Sequence, residues 1–321
     1  MPMRLLFVTD LHGSTQVLEK AVEAANEFDA DVLLIGGDLS GKRLLPVISQ
    51  KNGTYVILEP FAQPGEAGVT EVWNARPPIA AADLPHELAR QEARGFYWHE
   101  TDEAGRRALN AAPDDELRGL FEGKIYDRIR HWAEFVNQNL NPDIRCVWIG
   151  GNDDDQPLLD RLLKSELGRF EYVEDKVVEL DGFELLSYGH SNRTGFYTAR
   201  EVDDDGTIFS QLQQIGAKIR NKNRCIFNIH VPPFTCGNLD SVLKGNGGQL
   251  VHVGSEDVLR FIMQYEPIAD FAGHIHEGRG VAEIGRTMVF NPGSEFQIGK
   301  MSACVVEVKG AAVKDYIFID R

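Results

Sequence analysis

The chain has 321 residues, 43% hydrophobic and 26% charged, an ordinary globular composition that at this length suits one large core carrying an insertion. With 33 basic against 49 acidic residues the net charge is −16, which argues against extended nucleic-acid binding but leaves room for a compact phosphorylated substrate, because bound cations reverse the sign locally. No segment approaches the roughly 20 uninterrupted apolar residues of a membrane span, and no signal-like stretch precedes the first strand. Cys146, Cys225, Cys236 and Cys304 form no C-x-x-C pair, so a cytoplasmic protein with reduced thiols and no membrane partner is expected.

Residues 5–8 are apolar. Val17, Leu18, Ala21, Val22, Ala25 and Phe28 follow at helical spacing, and residues 32–35 are apolar again, so strand, helix, strand is predicted with Ser14 as the helix N-cap. From Asp38 to Asn152 the chain is much longer than a simple crossover needs, and 40–141 is expected to be an accessory insertion. Its middle is rich in proline, alanine and charge, whereas Ile125, Ile129, Trp132, Ala133, Val136 and Leu140 form one helical face that should dock on the core. Apolar runs recur at 146–149, 225–229 and 268–272, the last after a helix capped by Ser255 with Glu256 and Asp257 in its first turn. This alternation predicts an α/β protein. The runs at 287–290, 303–308 and 316–319 have no helix between them and imply antiparallel pairing. A single domain over 1–321 is expected, with a mixed sheet or two packed sheets flanked by helices.

Most of the short apolar runs end in or beside metal-ligating residue types: Asp10-Leu-His12, Gly36-Gly37-Asp38, Gly151-Asn152-Asp153-Asp154, Asn228-Ile-His230 and Gly273-His274-Ile-His276. Strand alternation places residues i and i+2 on one side, so each D-x-H or H-x-H pair can aim two ligands at one point. The carboxyl ends of strands in an α/β sheet are also where ligands bind. Each element alone is ordinary turn chemistry; their joint order is specific.

That order, D-x-H, G-D, G-N-x-D, H and G-H-x-H, resembles the calcineurin-like metallophosphoesterase superfamily from Asp10 to Gly293. The Gly151–Asp154 quartet, the Phe227-Asn-Ile-His-Val-Pro-Pro233 segment and Asn291-Pro-Gly-Ser-Glu295 are most similar to its Icc-related phosphoesterases. The resemblance implies two divalent cations, one held by Asp10, His12 and His276, the other by Asn152, His230 and His274, with Asp38 bridging. A hydroxide shared by the cations would be the nucleophile in an in-line displacement. Mixed imidazole, carboxylate and amide ligation suits Mn²⁺ first, then Fe²⁺ or Zn²⁺.

One departure matters. The family pattern is G-N-H-[DE], with the histidine as general acid, and here Asp153 takes its place. Two dications, two carboxylate ligands and a hydroxide leave a charge of about +1 for the substrate, which ionised Asp153 and Asp154 would reverse unless they share a proton. Asp153 and Asp154 are therefore candidate catalytic residues, and a phosphodiester is the preferred substrate. A phosphomonoester or a nucleotide pyrophosphate remains the alternative. Arg193, in a polar loop after the run 183–188, is a candidate phosphate contact, and the glycine cluster at 245–248 a candidate rim loop. The Gly36-x4-Gly41-Lys42 near-match to a nucleotide P-loop fails at Arg43, where a hydroxyl is needed. A non-catalytic scaffold of the same fold is the rival from another class, disfavoured by the complete ligand set. Oligomeric state is open, a homodimer included.

Overall fold

A computed structural model of the chain describes every residue except 1, 66–67, 195–197, 199 and 245–247. Two six-stranded sheets stack between helical layers. The first runs, edge to edge, Ala312–Asp320, Ser302–Lys309, Met3–Val8, Val32–Ile35, Arg145–Trp148 and Phe170–Tyr172. Its first two pairings are antiparallel and the rest parallel. The second runs Val177–Leu180, Phe183–Tyr188, Cys225–Ile229, Ala269–Phe271, Thr287–Asn291 and Gly280–Ile284, parallel except at its two edges. The carboxyl-terminal runs thus divide: 302–309 and 312–320 pair antiparallel as expected, but Thr287–Asn291 joins the other sheet and lies parallel to Ala269–Phe271.

Strand alternation builds the layers. Leu5, Phe7, Val32, Leu34, Val147 and Ile149 meet Phe183, Leu185, Ile226, Phe271 and Phe290 in the core between the sheets. Their neighbours Leu6, Val8, Leu33, Ile35, Cys146 and Trp148 face outward under helices Thr15–Glu27, Asp114–Asn139 and Gln156–Leu163. Helices Thr207–Gly216 and Glu256–Tyr265 cover the far face of the second sheet. Ile125, Ile129, Trp132, Ala133 and Val136 are the buried face of the 26-residue helix, so that part of the 40–141 segment belongs to the main core.

The remainder of that segment is more ordered than its composition suggested. Arg43–Ser49 pairs in parallel with Phe96–Asp102 and antiparallel with Thr54–Gly65, which forms a hairpin with Gly68–Ala75. Leu45, Val47, Ile57 and Leu84 give it a small core of its own. Ser14 stands at the helix N-cap position, but its hydroxyl donates to the Ala93 carbonyl at 2.9 Å, tying the insertion to the first turn instead of capping it. Ser255 does cap its helix, accepting from the Val258 amide at 3.1 Å. Among the described residues no helix is long and apolar enough to cross a membrane.

Candidate metal centre

The strand ends of both sheets converge at one edge of the sandwich. The turns after Met3–Val8 and Val32–Ile35 are joined by backbone bonds from Asp10, His12 and Gly13 to the carbonyls of Gly37, Asp38 and Leu39, at 3.0, 2.8 and 2.7 Å. Asp10, His12, Asp38 and His274 all sit at positive φ, 54, 42, 49 and 65°. That conformation costs about 1–3 kcal/mol per residue and is retained where a site demands it. Glycines permit the approach: a Cβ on Gly151 would lie 2.1 Å from Asp38 Oδ1, and one on Gly37, at φ 108°, would lie 2.8 Å from His230 Nδ1.

All seven expected ligands are brought together. Donor atoms of Asp10, His12 and His276 lie within 4.8 Å of one another, as do those of Asp10, Asp38 and His230. His12 Nε2 and His276 Nε2 are 3.0 Å apart. Asn152 Oδ1 lies 3.0 Å from His230 Nε2 and 2.6 Å from His274 Nδ1, while its Nδ2 donates to Thr198 Oγ1 and Asp153 Oδ1 at 2.9 and 3.1 Å. The amide therefore turns its carbonyl oxygen, the ligating end, toward the imidazoles. His230 Nδ1 is bonded to the Gly36 carbonyl at 2.8 Å, which reserves Nε2 for the cluster. Imidazole nitrogens crowded against each other and against carboxylates, almost all buried, fit a divalent cation pair, and His274 Nε2 is buried with no hydrogen-bond partner. None of His86, His99 and His131 enters these clusters among the described residues.

The electrostatics of these side chains point the same way. Burial opposes ionisation of Asp10, but hydrogen bonding and the charge of His276 bring its carboxyl down to about 2. Burial likewise opposes charge on His230, yet Asp38 beside it raises the imidazole to about 9. Burial pushes His12 down to about 3 and, with His230 adding to it, His274 down to about 4.

Asp153 and Asp154 differ. Asp154 is buried and accepts from the amides of Leu39, Ser40 and Gly151 at 3.0, 2.8 and 2.8 Å, so it locks the second and third ligand turns together and does not face substrate. Asp153 stands at the rim, where its Oδ2 is 3.0 Å from Lys42 Nζ and 3.6 Å from His12 Nδ1. Burial and the charge of Asp38 push its carboxyl up to about 6 against the pull of Lys42. The charge count made from the sequence changes accordingly: Lys42 cancels Asp153, and Asp154 is withdrawn into its amides. Arg193 lies on the surface with its guanidinium on Asp203. The glycine cluster falls largely outside the described residues.

Sequence reading missed the supports. Glu174 and Arg200 form a buried ion pair beneath the third ligand turn; Glu174 accepts from the Gly150 amide at 2.9 Å and Arg200 donates to the Gly151 carbonyl at 3.1 Å. Asn291 donates to the carbonyls of Gly273 and Ile275 at 3.3 and 3.0 Å, and Ser294 donates to that of Asp10 at 2.8 Å, which gives the Asn291-Pro-Gly-Ser segment its work of holding the histidine turn. Phe296 packs on the His12 ring at 4.6 Å. Lys42, dismissed with the P-loop, was the larger omission.

Two helix-flanked sheets whose strand ends gather imidazoles, carboxylates and one amide define a metallophosphoesterase fold with a cluster suited to two metal ions. Residues 3–70 match the family model for the calcineurin-like phosphoesterases. An uncharacterized protein of Methanocaldococcus jannaschii is 29% identical over 174 residues, covering 53% of this chain and 71% of its own. One crystal structure, 15% identical and covering 98% of both chains, superposes with a TM-score of 0.58 and shares the fold. A protein of Thermus thermophilus, 14% identical over 94% of both chains, superposes at 0.46.

Proposed function

We propose that the protein is a metal-dependent phosphoester hydrolase acting by preference on singly charged, disubstituted phosphate, with two divalent cations, Mn²⁺ first, in the cluster. The convergence of seven donor side chains on strand ends carries this reading. Asp10, His12 and His276 would hold one cation, Asn152, His230 and His274 the other, and Asp38 would stand between. Such ions acidify water and draw charge from phosphoryl oxygens. The chain's own groups then orient these donors: the Gly36 carbonyl and Thr198 fix His230 and Asn152, and the Asn291 amide braces His274.

Charge supports the diester preference on a revised count. With Asp153 neutralised by Lys42, the cations, Asp10, Asp38 and a hydroxide leave about +1, which matches a monoanionic diester and falls short of a dianionic monoester. The test compares bis(4-nitrophenyl) phosphate with 4-nitrophenyl phosphate by kcat/KM in Mn²⁺-loaded protein, with metal content measured alongside. A diester-to-monoester ratio above one is expected. Protein that binds metal but cleaves neither compound would instead be a scaffold of this fold.

A further inference from the structure

We infer that Arg128, on the long helix Asp114–Asn139, is a positioning residue for the metal ligand His12, and that through Arg128 and Tyr97 the insertion sets how tightly the cation shared by Asp10, His12 and His276 is held. This rests on the two-cation reading of the cluster and is independent of which ester is cleaved. His12 and the glycine after it stand at φ 42 and 79°, two consecutive residues in the left-handed region. A turn of that shape persists only where its surroundings hold it.

The insertion grips His12 twice. Along the chain, Arg128 Nη1 donates to the Gly13 carbonyl at 2.7 Å and to that of Phe96 at 3.3 Å, while the Gly13 amide donates to the Leu39 carbonyl at 2.7 Å. At the ring, His12 Nδ1 lies 3.3 Å from the Ser40 carbonyl, which reserves Nε2 for a cation, and the amide of the following residue, Gly41, donates to the Tyr97 hydroxyl at 3.1 Å. No side chain could come between these segments: a Cβ on Gly95 would lie 1.9 Å from the His12 carbonyl oxygen, and one on Gly41 would lie 2.1 Å from the Gly95 carbonyl oxygen. The ligand turns and the insertion therefore touch backbone to backbone, and a shift of the insertion passes directly to His12.

Arginine suits the position. Its side chain is only 9% exposed, and its guanidinium carbon lies 4.2 Å from the centre of the Tyr97 ring, so the flat cation stacks on one partner while its edge reaches two carbonyls. Glu92 faces the guanidinium at 3.6 Å and accepts from Thr15 Oγ1 at 2.7 Å; Trp132 Nε1, one helical turn beyond Arg128, donates to the same hydroxyl at 3.0 Å. Thr15 opens the helix that follows the His12 turn, so three elements are tied together around one ligand. Arg128 supplies no donor atom to the cluster and acts on it only by where it holds His12. Asn152, His230 and His274 stand on other turns, braced by Thr198, the Gly36 carbonyl and Asn291. Loosening His12 should therefore weaken one cation and spare the other.

The test titrates Mn²⁺ into the full chain by calorimetry, with urea unfolding measured alongside. The parent should take up two ions. Arg128→Gln should weaken one of them by about tenfold or more, the usual loss when a group that orients a ligand is removed, and leave the other unchanged. Arg128→Lys keeps the charge without the fork and should recover only part of that loss. Tyr97→Phe removes a single hydroxyl, keeps the ring, and should weaken the same ion, which carries the test if Arg128→Gln does not fold. Electron paramagnetic resonance reads the same event: at two equivalents the parent should show the exchange-coupled spectrum of paired Mn²⁺, and the variants the six-line spectrum of isolated ions. Arg130→Gln, which removes an exposed guanidinium from the same helix, should match the parent throughout. Variants that bind both ions as tightly as the parent, or that weaken both alike as stability falls, overturn this inference alone. A parent that binds one Mn²⁺ or none overturns the two-cation reading, and the inference with it.

Discussion

Asp38 shows how much one residue is asked to do. It sits at φ 49°, is 3.6 Å from His12 Nε2 and 3.5 Å from His230 Nε2, and accepts the Asp153 amide at 2.9 Å. Asp38→Ala and Asn152→Ala should each abolish turnover and cut metal occupancy while far-ultraviolet circular dichroism stays native, because the strands beneath are packed independently of the ligands. A variant that keeps both metals and near-native activity would show the ligand assignment to be wrong. The raised imidazoles make a second prediction. His230, lifted to about 9 by Asp38 against its burial, holds a proton at neutral pH before metal binds, and His276 is shifted in the same direction by Asp10 against its burial. Metal must displace the His230 proton, so loading at pH 7 should release about one proton and affinity should climb with pH until the folded-state value of His230 is passed. Calorimetry in buffers of different ionisation enthalpy reads this directly, and zero protons released would contradict it.

Among the elements, the turn carrying Asn152 depends on a pair that no motif announced. Glu174 follows the strand Phe170–Tyr172 and Arg200 precedes Glu201–Val202, and the two meet under Gly150 and Gly151 with almost no exposure. Breaking one half strands the other charge in the interior, at about 3–5 kcal/mol. Glu174→Gln should therefore lower urea-unfolding stability by that order and weaken metal binding through Asn152, whereas a loss within about 0.5 kcal/mol would mean the pair is solvated in solution. The contrast with the ligand motifs explains what was legible. The strands at 3–8, 32–35, 145–148 and 225–229 are short apolar runs ending in ligand types, so pattern and chemistry coincide on a few adjacent residues. The insertion's strands carry Pro46, Pro60 and Pro64 within them, a composition that reads as loop, and its sheet pairs residues through contacts that only folding creates. Lys42 and Asp153 meet across more than a hundred residues of chain, and neither announces the other.

At the scale of the whole molecule, stability in the four-layer sandwich should carry a pH dependence set by one buried carboxyl remote from the ligands. Asp270 lies in the strand Ala269–Phe271, fully buried, and neither of its oxygens completes a hydrogen bond. Burial lifts it from 3.8 to about 8, while the nearby amides of Ile229 and Phe271 pull weakly the other way. A carboxyl whose folded value lies above its unfolded one binds more protons in the folded state, so unfolding free energy falls as pH rises between those two values. Below pH 4 both states are protonated and the group adds no pH-dependent cost. By pH 7 the unfolded chain has ionised while the folded protein still holds its proton, a difference on the order of 2–4 kcal/mol. Asp270→Asn keeps the shape and removes the titration. It should match the parent near pH 4 and exceed it increasingly up to about pH 8, beyond which the gap stays constant. Denaturant melts of both proteins at pH 4, 5.5, 7 and 8.5 measure that gap, with EDTA present throughout so that metal loading does not contribute. A gap that is the same at all four pH values would place a compensating charge beside Asp270 and remove this source of pH-dependent stability.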